Sequence, residues 1–272
     1  MKLPKTIHSL VNRMTSKTSY HPSLGASIDL NSFVTEAGQY FNIPIEAVNT
    51  EYQVYKQFHL QNNYQQALGE RKTLCFEEAF LIFLAAKCIQ PSRVVEIGTQ
   101  YGKSTRRIID ILKLLQMDSS VTCFDVVDEL KYVNHSEINL ILEDVTDHFS
   151  ERVLTEIAPG LIYLDAHPYH LLKNVIVDFL EWSKNHPSIL AIHDCGSGLY
   201  NPCMKISKNN PRAVSSQTGC WERHVLSEIF AQPNNALDDM RTPTHRLHIF
   251  RTTHGLALLA PHQITAYTHL TT

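Results

Sequence analysis

From Leu74 onward the chain alternates short apolar runs with segments whose apolar residues recur every three or four positions. The runs are Val94–Ile97, Val121–Phe124, Ile138–Leu142, Leu161–Leu164 and Ile189–Ile192, each of strand length. Helical spacing marks the segments between them, near 104–117, 149–157 and 170–184. In the last of these, Leu172, Val175, Ile176 and Phe179 form the apolar stripe. Ahead of the first run, Leu74, Leu81, Leu84, Ala85 and Cys88 line one face of a helix that ends before Pro91. Strands alternating with helices predict a parallel sheet with helices on both faces. The end of the chain differs. Leu247–Phe250 and Leu256–Leu259 are separated by only Arg251 to Gly255, too few residues for a helix, so they pair antiparallel. Residues 1–70 are polar, rich in Asn, Gln and Tyr, with weak helical patterns near 30–48 and 50–68. The expectation is an α/β chain with a seven-stranded mixed sheet, five parallel strands plus a C-terminal hairpin. An N-terminal helical cap over 1–70 would precede a main domain over 71–272.

Composition narrows the class. The 272 residues carry a net charge of −3 and 43% hydrophobic residues, enough for a sizeable core and no basic field for nucleic acid. No apolar run approaches the roughly 20 residues of a membrane span. The six cysteines form no paired framework, and no secretory signal is recognisable, so a cytoplasmic setting is expected. Residues 1–28 are basic, with Lys2, Lys5, Arg13 and Lys17 and no acid. That composition fits an organelle-targeting segment, but a substrate-covering or disordered N-terminus explains it as well.

The most informative stretch is VVEIGTQYGKST, Val94 to Thr105: an apolar strand, an acid, a turn with two glycines and a helix start. Glycines allow a ligand to approach the backbone, and a helix start offers unpaired N–H groups. A dinucleotide-binding turn would need a glycine where Gln100 stands. A phosphate loop would need one more residue between Gly98 and Gly102-Lys103-Ser104. The acidic-x-Gly-x-x-x-Gly loop that holds S-adenosylmethionine is matched without a gap by Glu96, Gly98 and Gly102. An ordinary strand–turn–helix is the fourth reading.

In open α/β sheets, ligands bind beyond the carboxyl ends of the strands. Polar residues stand at all five ends: Glu96; Asp125; Glu143-Asp144-Val145; Asp165-Ala166-His167; and His193-Asp194. One strand-end acid is an ordinary capping residue. Five such ends on one rim point to a ligand. A structural zinc at His193, Cys195, Cys203, Cys220 and His224 is disfavoured, because no C-x-x-C occurs. Trp221, Val225, Ile229 and Phe230, at helical spacing, read as core rather than as a substrate platform.

With EIGTQYGKST, CFDVVDE, LEDV, LIYLDAHPYH and LAIHDCG in order over roughly residues 74–260, the chain resembles the class I S-adenosylmethionine-dependent methyltransferases. It is most similar to family 24, the macrocin-type O-methyltransferases. The family's Lys-Pro-Gly-Gly turn is replaced by Lys184-Asn185-His186-Pro187-Ser188. The resemblance implies a Rossmann-like fold and an O-methyltransferase acting on a hydroxylated small molecule, of sugar or natural-product type. Glu96, Gly98, Thr99, Gly102 and Ser104 would hold the methionine end of the cofactor. Asp125 and Val126 would hold the ribose, and Asp144 and Val145 the adenine, with Asp165 beside the sulfonium. Metal-dependent members imply a divalent ion, Mg²⁺ or Mn²⁺, on Asp165, His193 and Asp194. His167 would be the general base next to Asp165, with His170 in reserve, since imidazole titrates near neutrality. The acceptor would be covered by the N-terminal segment and the loop 197–219. Relatives of this kind pair or form rings, so a homo-oligomer is also implied. A phosphate-loop nucleotide hydrolase and a non-catalytic module of the same fold are the rival readings.

Overall fold

A computed structural model describes residues 30–68, 74–154, 160–196, 221–233 and 236–264. Cys203, Cys220, the basic segment 1–28 and the loop 197–219 lie outside the described residues. The five parallel strands form as expected: β1 (Arg93–Ile97), β2 (Ser120–Asp125), β3 (Asn139–Leu142), β4 (Leu161–Leu164) and β5 (Ile189–Ile192). Three antiparallel strands follow, β6 (Asp239–Arg241), β7 (His245–Phe250) and β8 (Leu256–Pro261). The sheet order is β3-β2-β1-β4-β5-β8-β7-β6, a Rossmann-like arrangement. Among the described residues there are thus eight strands rather than seven. The extra one, Asp-Met-Arg, pairs with β7 at the sheet edge, is largely exposed, and carries no apolar alternation to betray it.

Residues alternate between the two faces of the sheet. Val94, Cys123, Leu161, Ile189, Phe250 and Leu256 face one core, packed on α4 (Phe76–Ile89) and α5 (Lys103–Leu114). Val95, Phe124, Ile162, Leu190, Ile249 and Ala257 face the other. That side packs on α7 (Tyr169–Trp182), α8 (Glu222–Phe230) and Phe149 of the single-turn α6 (Phe149–Arg152). The helix expected over 149–157 is this one turn, with residues 155–159 outside the description.

Helix α4 departs from its expected single buried face. Every residue from Glu78 to Ala86 is buried. Its outer side is covered by α1 (Leu30–Phe41) and α2 (Ile45–Asn62), which are followed by the short α3 (Tyr64–Ala67). Tyr52 meets Phe80 edge-on at 5.2 Å, and Phe33 bridges Phe80 and Phe250 at 6.2 and 6.4 Å. A helix apolar all round needs cover on all sides, and the weakly patterned N-terminal helices provide it. Arg246 of β7 adds a polar tie, donating to the Tyr40 carbonyl with its guanidinium 4.3 Å from the Tyr40 ring. Among the described residues, no helix is long and apolar enough to cross a membrane.

Between β1 and β4 the strand order reverses, and the segments leaving the two strand ends touch. Gly98, at φ 88°, lies so close to β4 that a Cβ would sit 2.2 Å from the Asp165 carbonyl oxygen. Gly98 N–H donates to the Phe124 carbonyl at 2.9 Å and Asp165 N–H to that of Ile97 at 2.9 Å. Gly98→Ala would force these backbones apart. We expect it to lower unfolding stability by on the order of 3 kcal/mol or to prevent folding. Denaturant melts within about 1 kcal/mol of the parent would refute the close approach.

Candidate functional site

At the reversal point lies a cavity of about 390 Å³, walled by the ends of β1, β2, β3 and β4. That volume is in the range of small-molecule sites. Gly98, Thr99, Ser104, Asp125, Val126, Asp144, Val145, Asp165 and His167 all line it. The structure therefore gathers most of the sequence-derived set onto one wall, from four strand ends.

Asp125 is the best positioned of these. Its Oδ2 accepts from Gln100 N–H at 2.7 Å, and its Oδ1 from Val126 N–H at 2.7 Å and Val127 N–H at 3.3 Å. Gln100 adopts φ 45°, a conformation that costs a non-glycine residue about 1 kcal/mol or more. That strain aims its amide at Asp125. Each carboxylate oxygen has two lone pairs, so Oδ2 keeps capacity for a ligand hydroxyl. Asp144 Oδ1 accepts from Thr146 N–H at 3.0 Å in a local turn, beside the buried Val145. Val126 is 66% exposed and presents an apolar surface at the rim. Helix α5 opens at the cavity with no side-chain cap on Gly102, leaving the dipole's positive end for an anionic group.

Two of the expected residues do not line the cavity. Glu96 is fully buried and off the cavity wall; its carboxylate accepts from the Ser104 and Thr105 hydroxyls. It ties β1 to α5 and takes up the Ser104 hydroxyl. Gly102 is also off the wall and serves the turn: at φ 77°, a Cβ would come within 2.9 Å of Leu130.

The acid–imidazole group beyond Asp165 is arranged differently from expectation. His193 and Asp194 do not line the cavity, whereas Asp165 and His167 do. Donor atoms of Asp165, His167 and Asp194 lie within 4.8 Å of one another, and His193 Nδ1 lies 3.2 Å from Asp165 Oδ1 and 3.4 Å from Asp194 Oδ1, so the expected trio is brought together with His167 beside it. Asp194, at φ 58°, is another non-glycine residue held in a left-handed conformation. His193 points its Nδ1 to Asp165 Oδ1 at 3.2 Å and its Nε2 to Glu78 Oε2 at 3.3 Å. His170 packs edge-on against Tyr169 and does not reach the cavity. Cys195 is a buried free thiol 3.7 Å from the His193 carbonyl.

His167 is not a free base in this arrangement. Its Nδ1 lies 2.7 Å from Glu222 Oε1 and its Nε2 3.6 Å from Asp194 Oδ2. Burial would lower its pKa, but Glu222, Asp165 and Asp194 together raise it to about 9. It is an imidazolium at neutral pH. Burial pushes Asp165 up, and the charges of His193, His167 and His254 outweigh it, leaving the carboxyl below its usual range. Asp194 is raised, first by burial and then by Asp165, against the pull of His193.

Glu222, Glu78 and His254 were not legible as site residues. Glu78 carried the one available signal, an acid at helical spacing with Leu81 and Ile82 on a largely apolar helix.

No family model matches the chain, and no curated protein does. Solved structures of similar outline include a methyltransferase of Podospora anserina with bound SAH, at 14% identity over 88% of this chain and 99% of that one, TM-score 0.47. Another is an O-methyltransferase from Bacillus cereus in complex with SAH, at 14% identity, 77% and 90% coverage, TM-score 0.46. A third is TomG, an O-methyltransferase from Streptomyces achromogenes involved in tomaymycin synthesis, in complex with SAM, at 11% identity, 96% and 96% coverage, TM-score 0.42.

Burial raises the Glu96 pKa from 4.5 to about 7, against the hydroxyl donors that lower it. A raised carboxyl pKa means the folded state holds the proton more tightly. Its stabilising contribution is complete below pH 4.5 and is lost as pH rises through 7. Glu96→Gln should therefore gain stability relative to the parent between pH 5 and 9, on the order of 3 kcal/mol. Denaturation midpoints across that range give the test, and parallel profiles for the two proteins would contradict it.

Proposed function

We propose that the chain is an S-adenosylmethionine-dependent O-methyltransferase acting on a hydroxylated small molecule, of the sugar or natural-product kind. The observation that supports it most is Asp125, pinned by loop N–H groups at the reversal point of the sheet and open to the cavity. This is where a ribose would present its paired hydroxyls. Val126, Val145 and Asp144 form an apolar wall with one acceptor beside it, suited to an adenine with its amino group. The uncapped start of α5 suits the carboxylate of an amino-acid tail.

S-adenosylmethionine supplies a methyl group already activated by positive sulfur, so the protein's task is alignment of the acceptor and removal of its proton. Asp165 faces the cavity and would lie beside the reacting centre. Asp165, Asp194 and His167 could hold a divalent ion, which would lower the pKa of an acceptor hydroxyl and orient it. An imidazole among the donors favours Mn²⁺ or another transition ion over Mg²⁺. His167 in its charged form donates a hydrogen bond and cannot accept the proton. A His167 that ligated the ion would give up that proton and commit Nε2 to the metal, so its part would be to hold the ion and not to act as the base. The phosphate-loop reading loses ground, because Lys103 Nζ donates to the Leu68 carbonyl and bridges to the N-terminal helices.

Calorimetry with S-adenosylmethionine and S-adenosylhomocysteine, beside ATP, tests the reading. Both sulfur nucleotides should bind, and Asp125→Ala should weaken them by roughly 10- to 100-fold, the loss of a charged hydrogen-bond partner. Heat with ATP alone would favour a hydrolase, and no heat with any of them a non-catalytic module.

A further inference from the structure

Glu78 of α4, His193 at the end of β5 and His254 in the β7–β8 turn meet behind the cavity, and no step proposed above uses Glu78 or His254. We propose that Glu78 Oε2, His193 Nε2 and His254 Nδ1 form a buried binding site for a divalent transition ion of the Zn²⁺ type, separate from the Asp165–His167–Asp194 group. The donor atoms of the three residues lie within 4.8 Å of one another.

Distances favour coordination over hydrogen bonding. His193 Nε2 and His254 Nδ1 lie 3.3 and 3.4 Å from Glu78 Oε2. Charge-assisted N–H···O bonds are shorter, roughly 2.7–2.9 Å, and His167 to Glu222 at 2.7 Å shows that length in this same molecule. Donors spaced about 3.3–3.4 Å apart are what a tetrahedral ion with bonds near 2.0–2.1 Å requires.

The surroundings are those of a built site. Glu78 is fully buried, and its Oε1 accepts from the Thr252 hydroxyl at 2.8 Å and from His254 N–H at 2.9 Å. Its Oε2 accepts from Cys75 N–H at 2.8 Å and faces both rings. The second nitrogen of His193 faces Asp165 at 3.2 Å and Asp194 at 3.4 Å, giving the carboxylate–histidine–metal order that fixes a ligand's tautomer. His254 is held in place by Gly196 N–H donating to its carbonyl at 2.7 Å and Cys195 N–H to that of Gly255 at 2.8 Å. Two imidazoles and one carboxylate suit Zn²⁺, Co²⁺ or Fe²⁺ and not the oxygen-seeking Ca²⁺ or Mg²⁺. Three protein donors leave a fourth position for water. The ion would lock α4 to the ends of β5 and β7 and set the orientation of Asp165.

The test uses the full chain, stripped by chelator and titrated with Zn²⁺ alone, with bound metal counted by mass spectrometry and melting followed in parallel. The parent should take up a Zn²⁺ equivalent that raises its melting midpoint. His254→Gln should weaken that uptake by roughly 100-fold or more and abolish the shift, while His167→Gln, which removes the imidazole of the other group, should keep both. If His254→Gln does not fold, the visible spectrum of Co²⁺-loaded His167→Gln decides, a tetrahedral imidazole-ligated band supporting the site and its absence overturning it. The proposal also fails if the folded parent takes up no Zn²⁺, if folded His254→Gln binds it as the parent does, or if His167→Gln alone loses it. No readout involves S-adenosylmethionine, so this outcome is independent of the methyltransferase reading.

Discussion

The approach of Gly98 to the carbonyl of Asp165 is the constraint around which the site is built. Two neighbouring parallel strands send their chains to opposite faces, and a gap opens between the departing segments. The width of that gap is set where the segments still touch, and only a residue without Cβ lets them touch so closely. One strand's turn then carries Gln100 toward Asp125, while the other places Asp165 and His167 on the cavity wall as well. The cavity is thus a product of backbone proximity, and its polar residues are delivered by the strand ends that the proximity separates.

Beyond Asp165 the chemistry becomes crowded. Asp165, Asp194, Glu78 and Glu222 share three imidazoles, from His167, His193 and His254, with most of the atoms shielded from water. Buried charges persist only when paired or ligated. His167 and His193, each held between acids, are therefore fixed in position, and the strained backbone at Asp194 is held by the same network. This is a rigid arrangement, suited to presenting a fixed geometry to a ligand.

Much of this was legible from the chain. The apolar runs placed all five parallel strands, and the polar residues after β2, β3 and β4 placed much of the cavity wall, because strand ends and site coincide in this architecture. Orientation was not legible. Glu96 sits within the right motif, yet its side chain points to the core face at the register of Cys123 and Tyr163, where it meets Ser104 and Thr105. The partners of His167 and His193 were hidden because Glu222 and Glu78 reach them from 55 and 115 residues away in sequence. Strand β6 was missed because an exposed edge of three residues needs no apolar pattern. Helix α4 was read as one-sided because its cover comes from helices whose own periodicity is weak.

That cover has a consequence for how the chain is made. Phe33 reaches its partner Phe250 across roughly 200 residues of intervening sequence. At synthesis rates of about 5–20 residues per second, the first helices leave the ribosome roughly 10–40 s before β7 exists. During that interval Phe33 and Tyr40 lack Phe250 to pack on. The earliest part of the chain is thus among the last to find its place, and its solubility in waiting is a demand on the sequence separate from anything the finished site requires.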